Sequence, residues 1–113
     1  MSNRDVKLLL EDMLESALKI KQYTTNLDYA SFVNDNKTID AVVRNFEIIG
    51  EAANRIDIDF RVTNSEIEWN RIRGFRNRIV HDYFGIDYEI VWTIIESDLE
   101  NLISQIKSVM SNS

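Results

Sequence analysis

Apolar residues recur at intervals of three and four along most of the chain, the period of helices packed on one side. Val6, Leu10, Met13, Ala17 and Ile20, widened by Leu9 and Leu14, predict a first helix to about Tyr23, capped by Ser2 or Asn3. Asn26 or Asp28 opens a short helix through Tyr29 and Phe32 that ends near Asn34. Thr38 reads as the cap of a third helix, with Asp40 in its first turn, where the helix dipole favours negative charge. Ile39, Val42, Val43, Phe46, Ile49 and Ala53 form its buried face as far as about Arg55. Residues 57–64, DIDFRVTN, carry no helical stripe and read as the longest connection. Ser65 and Glu68 stand at capping-box spacing and predict a fourth helix carrying Trp69, Ile72, Phe75, Ile79 and Val80. It stops near Phe84, with Gly85 free to adopt a left-handed terminating conformation. Asp87 caps the last helix, whose stripe is Trp92, Ile95, Leu99, Leu102, Ile106 and Val109.

The pattern predicts an all-α fold: an up-and-down bundle of four main helices plus one short helix, in a single domain over residues 1–113. Composition agrees, since no proline and three glycines leave few of the turn residues that a many-hairpin fold needs. Gly50 and Gly74 fall inside expected helices, where close approach of a neighbouring helix is the usual compensation. At Gly74 the backbone of a ligand is a second possibility. Cysteine is absent and histidine occurs once, which removes disulfides, thiol nucleophiles and cysteine-ligated metals; no metal site and no cofactor are expected. No apolar run reaches the roughly 20 residues of a membrane span and no signal peptide opens the chain, so a cytoplasmic protein without a membrane partner is expected.

The net charge of −6 argues against nonspecific wrapping of nucleic acid, but the charge is unevenly placed. The stretch 71–81, RIRGFRNRIVH, holds Arg71, Arg73, Arg76 and Arg78 without an acid and sums to +4, against −10 for the rest. From Asp82 to Glu100 there are six acids and no base, a solvated face. The strip is either one place for an anion or a set of arginines paired with carboxylates such as Asp82, Glu47 or Glu51.

The chemistry gathers in RNRIVHDYF, residues 76–84. His81 is the only imidazole, the side chain type that ordinarily titrates near neutrality. Arg76 and Arg78 supply guanidinium groups suited to bidentate phosphate binding, Asn77 an amide and Tyr83 a phenol. Such a set suits a substrate that brings its own nucleophile, as RNA does with its 2′-hydroxyl. Histidine would move protons and arginine would stabilise charge on the phosphorus oxygens. On an ideal helix, Asn77 and His81 lie about 40° apart, Arg76 and Tyr83 about 20°, but Arg76 and His81 about 140°. Convergence of Arg76 and His81 therefore needs either a helix that loosens near its end or two chains that complete each other's site. A lone histidine at a helix end also serves as a structural residue, and Tyr83 and Phe84 as core aromatics.

Arg76, four residues, His81, one residue and Tyr83 together resemble the arginine–histidine–tyrosine signature of HepT-like proteins. These are the toxin halves of a prokaryotic toxin–antitoxin pair within the HEPN superfamily. RNFEIIGEAANRI, Arg44 to Ile56, is similar to the family's third-helix signature, and EWNRIRGFRNRIVHDYFGIDYEIVW, Glu68 to Trp92, follows the family into the last helix. The resemblance implies an HEPN-like homodimer whose two motifs face each other across a cleft. Arg76 and His81 would form the catalytic pair of a metal-independent endoribonuclease, with Asn77, Arg73 and Arg78 supporting the RNA. It also implies that a cognate MntA-like nucleotidyltransferase antitoxin adenylylates Tyr83, placing bulk and negative charge in the cleft. The alternative reading is a catalytically inactive helical dimer that binds nucleotide, RNA or a partner protein through the same strip.

Overall fold

The computed structural model describes residues 5–81 and 85–112. Helix α1 (Val6–Thr24) starts at Asp5, whose carboxylate accepts the Lys7 amide, rather than at Ser2 or Asn3, which lie outside the described residues. It buries Leu9, Leu10, Met13, Ala17 and Ile20, while Val6 and Leu14 pack at the margin. Asp28 caps the short α2 (Tyr29–Val33), which delivers Phe32 to the core. Helix α3 (Asn36–Arg55) is capped by Asp35, three residues before the expected Thr38 cap. Asp35 accepts both the Thr38 amide and its hydroxyl, so Thr38 serves the cap from inside the first turn. Every apolar position assigned to the buried face of α3 is buried.

Residues 57–64 are not a plain connection. Asp57 caps a six-residue helix, α4 (Ile58–Thr63), with Asp59 in its first turn and Arg61 in its last, both favourable to the helix dipole. It buries no residue fully, leaving Ile58 and Val62 well exposed, which is why no hydrophobic stripe announces it. The capping box at Ser65 and Glu68 does not form: Glu68 makes no capping bond. Instead the Trp69 indole donates to the Asn64 carbonyl at 3.0 Å.

The expected fourth helix is broken twice. Helix α5 (Trp69–Arg73) ends at Gly74, which is also the start of α6 (Phe75–Ile79). Val80 then turns extended (φ −106°, ψ 122°), and the helix gives way to a small antiparallel hairpin of β1 (Val80–His81) and β2 (Gly85–Ile86). Val80 pairs with Ile86 and His81 with Gly85, and the Asp87 amide donates to the Ile79 carbonyl at 2.7 Å to close the ladder. Gly85 has φ +74°, a conformation that costs other residues energy.

Asp87 caps α7 (Tyr88–Ser97) as expected, and the last helix resumes as α8 (Leu99–Ser111) after a break at Asp98. The break shifts the stripe. Val91 and Ile94 are buried in α7 where Trp92 and Ile95 were expected, and these two are only partly buried. Past the break, Leu99, Leu102, Ile106 and Val109 are buried as the pattern required.

The architecture is all-α apart from the small hairpin: α1 packs against α3 and α8, and α5–α6 lies against α3. One continuous core runs from Leu9 to Val109. A Cβ on Gly50 would sit 3.5 Å from the Ile72 carbonyl, so this glycine lets α3 and α5 approach closely. No helix among the described residues is long and apolar enough to cross a membrane.

Candidate active site

Ile72, Phe75 and Ile79 keep helical spacing across the Gly74 break and are all buried, which fixes the orientation of α6. Phe75 packs edge-on against Phe46 of α3, with ring centres 5.2 Å apart. With that face inward, Arg76 and Asn77 point to solvent. His81, carried past the helix end by β1, has a side chain 48% exposed.

The four arginines do not form one continuous strip. Arg71 donates from Nε to Asp98 Oδ2 at 2.8 Å, and Arg78 Nη1 lies 3.9 Å from the same oxygen. The hydrogen bond and then the charge of Asp98 raise the Arg71 pKa, holding its proton more firmly. Asp98 sits at the α7–α8 break, so this cluster ties the motif segment to the last helices. Arg73 and Arg76 turn the other way, toward α3: Arg73 Nε donates to Asn54 at 2.6 Å, and Arg76 Nε lies 3.9 Å from Glu47. Of the three carboxylates named as alternative partners, Glu47 therefore engages Arg76, Glu51 faces Arg44, and Asp82 lies outside the described residues.

His81 Nε2 stands 3.8 Å from Asp87 Oδ2, while Asp87 Oδ1 accepts the Ile90 amide as the α7 cap. Capping thus fixes the carboxylate that faces the imidazole. The helix ends before His81, so the 140° separation on an ideal helix does not apply. Even so, no hydrogen bond or ion pair joins Arg76 to His81 among the described residues; one faces Glu47 and the other Asp87. Tyr83 lies outside the described residues. No group of three or more His, Asp and Glu side chains among the described residues is placed to hold a metal ion.

Beside His81 is an open depression of about 330 Å³, lined also by Tyr29, Tyr88, Asp87 and Glu89. Sequence reasoning did not find Tyr29 or Tyr88, nor Asp98 as the shared acceptor. Asp98 is 27 residues from Arg71, so no local spacing links them.

The fold and site define a helical domain that presents an arginine–histidine motif where a short helix passes into a hairpin. Residues 13–109 match the family model described as ribonuclease HepT-like, and the chain belongs to that family. A protein of Methanocaldococcus jannaschii named "Putative RNase" is 41% identical over 109 residues, covering 96% of this chain and all of that protein. One of Thermococcus cleftensis named "Probable ribonuclease HepT" is 36% identical, covering 88% of this chain and 90% of that protein. A third, named "Putative RNase", from Caldanaerobacter subterraneus, is 33% identical over 89% of this chain and 90% of its own length. No solved structure matches.

Proposed function

We propose that this chain is the endoribonuclease toxin of a toxin–antitoxin pair, acting in the cytoplasm and cutting RNA without a metal in a cleft shared by two copies. The observation that carries the reading is the exposure of Arg76, Asn77 and His81 on a segment anchored by buried Phe75 and Ile79, in a chain of the ribonuclease HepT-like family. Buried anchors beneath exposed polar groups are the arrangement a preorganised site requires.

His81 accepts the proton of the RNA 2′-hydroxyl as its oxygen attacks the adjacent phosphorus. The bond to the 5′-oxygen breaks and a proton returns to that oxygen, leaving a 2′,3′-cyclic phosphate and a 5′-hydroxyl. No co-reactant is consumed. Arg76, its side chain 63% exposed and held by Glu47 only at 3.9 Å, turns its donors to the phosphorus oxygens as charge builds. Asn77 adds an amide donor. Arg73 spends one donor on Asn54 and keeps others for phosphate, while Arg78 is more confined by Asp98. A two-fold pair places a second guanidinium and imidazole in the same cleft, and so supports proton delivery on both sides of the phosphorus.

The partner antitoxin is an MntA-like nucleotidyltransferase. It directs the Tyr83 phenol oxygen to the α-phosphorus of ATP, releasing pyrophosphate and leaving AMP on the tyrosine. The added bulk and charge then exclude RNA. Intact mass after incubation with ATP and the cognate enzyme should show adenylate additions that vanish in Tyr83→Phe; label persisting there would move the site.

Wild type, Arg76→Ala and His81→Ala compared on RNA in chelator test the reaction. Cleavage by wild type alone is expected; equal cleavage by all three, or cleavage only with added magnesium, would overturn it. One observation favours a second reading, a dimer that binds RNA without cutting it: Arg76 and His81 are not joined within one chain. Tight binding without turnover, lost in Arg76→Ala and unchanged in His81→Ala, would select it.

A further inference from the structure

Resting on the ribonuclease reading, we infer that the depression beside His81 is a nucleobase subsite, in which Tyr29 and Tyr88 stack on one base of the RNA and Glu89 accepts from its amino edge. The depression holds about 330 Å³, at the small end of ligand pockets and suited to a single ring system rather than a long segment. Tyr29 and Tyr88 reach it from separate helices and are 36% and 40% exposed, so both rings offer apolar surface to solvent at its rim. Tyr29 is backed by Trp92, edge-on at 6.3 Å, and Trp92 by Phe32 at 5.1 Å. The ring is therefore set in place before any ligand arrives, and stacking on it costs little ordering.

The charges decide which part of a nucleotide enters. Among the described residues the lining carries two carboxylates, Asp87 and Glu89, and no lysine or arginine. Phosphate is repelled here and drawn instead toward Arg76. One oxygen of Asp87 accepts the Ile90 amide, and the other faces His81 at 3.8 Å. The Glu89 carboxylate forms no hydrogen bond or ion pair among the described residues and is free to accept. Acceptors at this rim suit a base that presents amino hydrogens, as cytosine does at N4, and oppose uracil, which presents a carbonyl there. Because His81 lines the same depression, a base seated in it brings its own ribose beside the imidazole.

Decamers of 2′-O-methyl cytidine and uridine, whose rings stack alike and whose blocked 2′-oxygens cannot attack, read this subsite without turnover. Fluorescence anisotropy with wild type should show the cytidine decamer binding about fivefold or more tighter. Glu89→Gln should erase that preference. Tyr88→Leu and Tyr29→Leu should each weaken both decamers about tenfold, while Tyr29→Phe, which keeps ring and packing, should retain the affinity. Equal binding of the two decamers by wild type, no binding of either, or unchanged affinity in Tyr88→Leu would overturn the inference. Selective binding together with intact natural RNA would leave the subsite standing and sink the ribonuclease reading; cleavage without decamer preference would do the reverse.

Discussion

Phe75 and Arg76 are neighbours in sequence with opposite assignments, and substituting each separates anchor from chemistry. Phe75 is 1% exposed with its ring 5.2 Å from that of Phe46. Truncation to alanine at such a site costs about 3–5 kcal/mol, a large part of the roughly 5–15 kcal/mol that holds a domain folded. Phe75→Leu is the more useful change, because it keeps an apolar side chain and loses the edge-to-face contact plus part of the volume, about 1–2 kcal/mol. With a urea slope of about 1.5 kcal/mol per molar, the unfolding midpoint should fall by about 1 M. Arg76 has only an exposed contact at 3.9 Å to Glu47, the kind of pair worth about 0–1 kcal/mol. Arg76→Ala should therefore shift the midpoint by no more than about 0.7 M while abolishing cleavage. Phe75→Leu should cut RNA at close to the wild-type rate under conditions where it is folded. Urea titrations followed by the fluorescence of Trp69 and Trp92, at one fixed protein concentration, give both midpoints. A midpoint for Arg76→Ala that falls as far as that of Phe75→Leu would make Arg76 a structural residue and refute the assignment.

Three further outcomes follow from the geometry. Gly85→Ala should cost about 1 kcal/mol from its φ of +74° alone, since a Cβ there meets nothing within 4 Å; its effect on cleavage should exceed its effect on stability, because the hairpin carries His81. Asp98→Ala strips the shared acceptor from Arg71 and Arg78 and should lower the melting temperature by about 5–10 °C, with Asp98→Asn milder, as differential scanning fluorimetry would show. Asp28 and Asp35 are held below the usual carboxylate value of 3.8, Asp28 by the Ser31 amide and then its hydroxyl, Asp35 by the Thr38 hydroxyl and then its amide. Their capping contribution is thus complete above that value and lost as pH falls through the lowered ones, so acid unfolding should begin at higher pH in Asp35→Asn.

What the sequence revealed followed the length of each hydrophobic stripe. Helices α1 and α3 were legible because five or more buried positions repeat along one face, and Asp28 and Asp87 because a cap needs only its own first turn. Helix α4 was not, since six residues with Ile58 and Val62 outward bury no stripe. The breaks at Gly74 and Asp98 escaped for different reasons. Ile72, Phe75 and Ile79 hold helical spacing straight through the first, whereas the second shifts the phase from Trp92 and Ile95 to Val91 and Ile94. At the site, residue types and spacing pointed to Arg76 and His81, and the charge count to the arginines around them. Which partner each arginine meets depends on residues 27 positions away or on α3, and only the folded chain brings Tyr29 beside His81.

The central claim is that the RNA supplies the attacking oxygen and the protein supplies only charge and protons. A single 2′-deoxynucleotide placed on the 5′ side of the scissile phosphate tests it directly, with cleavage in chelator read by gel and product ends by mass spectrometry. Cutting should cease at that position alone, and the unmodified strand should end in a 2′,3′-cyclic phosphate. Cleavage that continues at the deoxy position, or fragments that end in a 3′-hydroxyl, would contradict the account.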